Sequence, residues 1–120
     1  MARNLREVAP FQEAIAERQL LFTAADGSTR DVLVQIGRPV KDPEDTGNAL
    51  CPFRVLGFEE PDTFVAGGVD SVQALILALE VLTDYLAAKA RTRGGSISFL
   101  GSSHLGFPPL GGSQPKAVHE

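Results

Sequence analysis

The stretch Asp70–Gly95, DSVQALILALEVLTDYLAAKARTRGG, decides the fold. Asp70 is a good helix N-cap, and Gln73 stands three residues later, as a capping box wants. Val72, Leu75, Ile76, Leu79, Leu82 and Leu86 recur at helical spacing. Arg91 and Arg93 suit a helix C-terminus, and Gly94-Gly95 ends it. The spacing predicts a helix from about Ser71 to Arg91. Leu77, Ala78, Val81, Tyr85 and Ala74 carry the apolar arc well past that first stripe. Only Gln73, Glu80, Thr83, Asp84 and Arg91 mark a polar edge, with Ala87 among them. One sheet face needs an arc of roughly 100°. The surplus must be covered, either by Ser96–Leu110 of the same chain or by a second subunit docking on Leu77, Val81 and Tyr85.

Upstream, the pattern changes to period two. In DVLVQIG (31–37), Val32, Val34 and Ile36 share a face. IAERQLLFTA (15–24) puts Leu20 and Phe22 together, and Asp26-Gly27 separates the two runs as a hairpin turn should. Ile15–Ala24 and Arg30–Gly37 are therefore read as an antiparallel hairpin. Arg38–Ala49, with two prolines, a glycine and several charges, reads as a long loop. Strands are expected at Pro52–Phe58, Thr63–Gly67 and Ser96–Leu100, with a turn at Glu59–Asp62. Strands come first, then a helix, then a short strand, with no βαβ alternation. That order predicts an α+β fold, an antiparallel sheet of four to five strands with one long helix on one face. Residues 1–14 read as a loosely held arm, 15–107 as one domain and 108–120 as a flexible tail.

Composition narrows the functions. The chain has 120 residues, is 43% hydrophobic and carries a net charge of −4. A non-specific nucleic-acid binder needs a surplus of Lys and Arg, so no nucleic-acid partner is expected. No uninterrupted apolar run has bilayer-spanning length, and the first ten residues lack a signal-peptide stretch. A lone cysteine excludes an internal disulfide framework. These features point to a cytoplasmic protein with no membrane partner.

IAERQL (15–20), VQIGRP (34–39), CPFRVLG (51–57), GVDSVQALILALE (68–80), FLG (99–101) and LGFP (105–108) together resemble a family of small bacterial proteins catalogued only as a domain of unknown function. The resemblance covers about residues 15–108 and implies a bacterial single-domain protein; it transfers no activity. The broad layout is also similar to antitoxin and immunity modules, at the level of architecture alone.

Reactive groups are sparse. Cys51, His104 and Asp70 supply one nucleophile, one imidazole and one carboxylate, but nothing in their spacing brings them together. Cys51 before Pro52 reads as a small buried hydrophobe, and His104 as a turn residue. One cysteine and two histidines fall short of a zinc site, and Asp42-Pro43-Glu44-Asp45 lacks the spacing of a calcium loop. Gly67-Gly68-Val69-Asp70-Ser71 leads into a helix start without a P-loop or dinucleotide pattern. No catalytic residue, metal or cofactor is expected. A pair among Glu17, Arg18 and Arg38 across the first hairpin would fix register.

Charge layout is the most informative functional feature. Residues 1–41 are net +1, residues 42–84 net −8 and residues 85–120 net +3. The acidic segment suggests a protein-binding module that occludes a partner with a basic surface, such as a toxin, through Asp42, Glu44, Asp45, Glu59, Glu60 and Asp62. The alternatives are a structural homodimer through the surplus helix face and a small enzyme using Cys51 or His104.

Overall fold

The structure, a computed structural model, describes residues 3–59 and 61–108. Its elements in chain order are α1 (Leu5–Val8), β1 (Ala14–Thr23), β2 (Thr29–Gly37), β3 (Val40–Asp42), β4 (Asp45–Leu56), β5 (Asp62–Gly68), α2 (Ser71–Thr92) and β6 (Ser96–Ser98). All sheet pairings are antiparallel, and α2 packs on one face. The fold is α+β, as the element order predicts.

The sheet has six strands rather than four or five. The extra strand comes from the segment read as a loop. Val40 and Lys41 pair with Leu50 and Ala49 of β4, while β2 pairs with Phe53–Leu56 of the same strand. β5 runs along β4 on the side away from both. β2 and β3 therefore form one ribbon broken at Arg38-Pro39, where Pro39 has no N–H to give a ladder. The prolines and charges of 38–49 concealed this pairing because a break and a tight turn at Pro43-Glu44 use the same residue types as a loop.

The first hairpin follows its sequence closely. Thr23 faces Thr29, Gly27 takes φ +89°, and Asp26 Oδ1 accepts bonds from Ser28 N and Oγ. Leu20, Phe22, Val32, Val34 and Ile36 are all buried on the inner face, joined by Cys51, Phe53 and Val55 of β4. On α2, Ala74, Ala78, Leu82 and Leu86 are buried against them. The small alanines let the helix axis approach the sheet, and the leucines fill the space between. Removing one such leucine costs about 2–5 kcal/mol. By length and composition α2 could cross a bilayer; here it serves as the core helix of the fold.

The capping box forms in a displaced version. Asp70 Oδ1 accepts from Gln73 N at 2.8 Å, and Gln73 Oε1 accepts from Val69 N at 2.7 Å, one residue earlier than the usual partner. Gly94, at φ +69°, ends the helix, and Gly95 N reaches back to Ala90 O.

The chain itself covers much of the surplus apolar arc of α2. On one flank Thr83 Oγ1 lies 2.8 Å from Pro108 O, and Leu105 and Phe107 pack against the core. On the other, Tyr85 meets Phe64 edge-on with ring centroids 4.9 Å apart. Leu77, Val81 and Tyr85, the residues expected as a dimer face, are half-buried and packed on the core. Glu80, read as part of the polar edge, is fully buried. The arm at 1–14 carries α1, and Arg6 Nε donates to Thr63 O at the β5 edge. Of the tail at 108–120, only Pro108 lies among the described residues.

Candidate functional site

The expected acidic surface divides in two. Asp42, Glu44 and Asp45 stand at the start of β4, and Glu59 and Asp62 follow its other end. A twelve-residue strand separates them by about 36 Å. Glu60 lies outside the described residues. The two turns cannot present one patch to a small partner.

Asp42, expected as part of a partner-binding surface, is not open to solvent. Its relative exposure is 3%. Both its oxygens accept from Arg3, at 2.7 and 2.8 Å, and Oδ1 also accepts from Glu44 N at 2.9 Å. The Arg3 hydrogen bonds hold its carboxyl down to about 2, and the Arg3 guanidinium is pushed up in turn. Glu44 remains exposed, 3.6 Å from the same arginine. Asp45 is also exposed and braces its own turn, accepting from Gly47 N and from Asn48 Nδ2. At the far end, Glu59 pairs with Arg93, and Asp62 with Lys89 at 3.5 Å.

The β3–β4 end holds a feature that the charge count missed. Val40, Val69 and Val72 are 39, 66 and 62% exposed, among the few large apolar side chains so open to water. Val40 and Val69 line a groove of about 360 Å³ between the β3–β4 hairpin and the start of α2. Lys41, Asn48 and Asp70 line it too, and Val72 stands in the first turn of the helix beside it. Val69 occupies the position before the N-cap, where an apolar residue usually packs against the fourth helical residue as a staple. Its exposure shows that this staple stays open. Val69 directly before a good N-cap and Val72 two residues after it are the signal in the sequence.

The other singled-out residues have structural work. Cys51 is wholly buried under α2, and burial pushes its thiol up to about 11. Its Sγ lies 3.7 Å from Gly37 O. His104 is exposed beyond β6, and its Nδ1 accepts from Gly106 N at 3.1 Å. Asp70 is committed to capping. The structure therefore does not bring these three together. Among the described residues, no group of three His, Cys, Asp or Glu could hold a metal.

Arg18 and Glu17 do not pair across the hairpin. They lie on opposite faces of β1. Glu17 Oε1 accepts from Gln35 Nε2, and Gln35 Oε1 from Arg54 Nε at 2.8 Å, a row across three strands whose end stacks on Phe11. Arg38 is exposed at the break after β2. Arg18 turns inward, over the Phe99 ring at 4.3 Å and the Phe107 ring at 5.1 Å, and donates to Leu105 O at 2.9 Å. Gly106 takes φ +83°, and a Cβ there would meet Arg18 Nη1. The IAERQL and LGFP segments thus form one contact. IGRP and CPF form another, since a Cβ on Gly37 would sit 2.9 Å from Pro52 O.

No curated protein matches the chain, and no solved structure does. One family model matches residues 16–109, a span that takes in both of these contacts. The chain belongs to the family described as a domain of unknown function, DUF6968.

Proposed function

We propose that this protein is a non-enzymatic binding module, immunity- or antitoxin-like, that receives a basic, apolar-tipped segment of a protein partner. The seat is the groove between the β3–β4 hairpin and the start of α2. The observation that carries the reading is the exposure of Val40 and Val69 in one groove with Asp70, with the exposed Val72 in the adjoining first turn of α2 and the exposed Glu44 and Asp45 in the β3–β4 turn. Apolar contact surrounded by charge is how a small interface gains affinity at its centre and specificity at its rim. Lys41 is the one cation lining the groove. Of the two acidic turns, this is the one beside exposed apolar side chains, so the Glu59–Asp62 end is left out of the interface. A bacterial cytoplasm suits a module with a single, buried thiol. That thiol, held protonated beneath α2, also argues against the enzyme reading built on Cys51.

The test is capture and affinity measurement with the double substitution Val69→Asp/Val72→Asp. Both side chains are open to water, so the fold should hold by circular dichroism. The wild-type chain should retain a partner whose binding weakens with added salt, and the double variant should lose it at least a hundredfold. Equal retention by the double variant, or a partner whose binding ignores salt, would sink the proposal.

A further inference from the structure

A second concavity lies on the other half of α2. From Ser71 to Ala87 the helix rises about 24 Å, so this cleft is separate from the proposed partner groove. Its volume is about 440 Å³, within the range of small-molecule sites. Leu86, Ala87 and Ala90 of α2, Ile97 of β6 and Phe107 supply an apolar lining. Ser103 and His104 are its polar members on the loop after β6.

The histidine is already oriented. Gly106 N–H donates to Nδ1, so in the neutral ring that nitrogen is an acceptor and the proton sits on Nε2. His104 N–H in turn donates to Ser102 Oγ at 3.0 Å, which holds the backbone of the loop. The loop is pinned on its far side by Arg18, through Leu105 O and the Phe107 ring. A fixed loop thus offers an N–H donor beside an apolar cleft. Arg91 stands one turn beyond Ala87, exposed and outside the ion pairs formed by Lys89 and Arg93.

We propose that this cleft binds a small amphiphilic carboxylate, with its apolar body against α2 and Phe107 and its head group at His104 Nε2–H and the Arg91 side chain. The apolar lining selects the body, and a ring N–H donor with a nearby cation selects an anionic head over a neutral one.

The experiment is an amide NMR titration of the full chain with sodium octanoate, with octan-1-ol as the neutral probe of equal tail length. Octanoate should give saturable shifts confined to residues 83–91 and 97–107, with Kd below about 1 mM. Octan-1-ol should bind at least fivefold more weakly. Ala87→Trp, on an exposed helical position, should fill the cleft and abolish the shifts while leaving the rest of the spectrum in place. His104→Ala should weaken octanoate at least fivefold and leave octan-1-ol unchanged. Non-saturating or dispersed shifts, equal binding of the two probes, or undiminished binding by Ala87→Trp would each overturn the proposal.

Discussion

At the β3–β4 turn, Asp42 is drawn inside and held by both ends of the Arg3 guanidinium, while Glu44 and Asp45 face water. At the β4–β5 end, Glu59 stays at the surface and meets Arg93, the C-cap of α2, and Asp62 meets Lys89 in the last turn of that helix. The two turns carry similar runs of acid, yet their surroundings differ: the first adjoins the groove lined by the exposed Val40 and Val69. Carboxylates near in sequence are not thereby a surface. What matters is which cations the fold brings to them and how far apart the strand between them holds them.

Three changes probe this contrast. The largest effect belongs to Gly57, just before the second turn. It takes φ +124°, and a Cβ there would collide with Asp31 O. Gly57→Ala should destabilise by about 2–4 kcal/mol in urea unfolding. A midpoint within error of wild type would mean that the second turn does not depend on this close approach.

Asp42→Asn comes next. It removes the charge of the buried partner and leaves Arg3 with only the exposed Glu44, 3.6 Å away, so the melting temperature at pH 7 should fall. The carboxyl is depressed from 3.8 to about 2 in the folded protein. Its contribution is therefore complete above the unfolded value and is lost as pH falls from about 4 through about 2. Wild-type stability should decline across that window, and the Asp42→Asn difference should shrink with it. A difference that persists at pH 2 would show that the ion pair is not what the substitution removed.

Glu59→Gln should have the smallest effect, under about 1 kcal/mol, because the carboxylate is largely in water. It should vanish in 1 M salt. A larger, salt-resistant loss would place the second turn with the first and erase the contrast.

Much of the architecture was legible in residues whose conformation is set locally. The α2 cap at Asp70, the Gly94 stop and the Asp26-Gly27 turn are each fixed by a few adjacent side chains. Period two in 31–37 announced the inner face before any partner strand was known. Arg38–Ala49 was misread because its second strand is defined only by the ladder with β4. The candidate site was less legible. Glu44 and Asp45 were marked for their charge, but the groove was not visible, since Val40 reaches Val69 only after β3, β4 and β5 have paired.

The sequence alone determined the class of fold, the place and polarity of the long helix, and the poverty of reactive groups, because short-range propensity, periodicity and residue inventory suffice for those. Tertiary structure alone decided which acids are paired with cations, that Glu80 and Asp42 are buried, that Arg18 clamps the loop carrying His104, and that Val40 and Val69 line one groove. Each of these depends on contacts between residues far apart in the chain, and such contacts exist only once the sheet has closed and the helix has packed upon it.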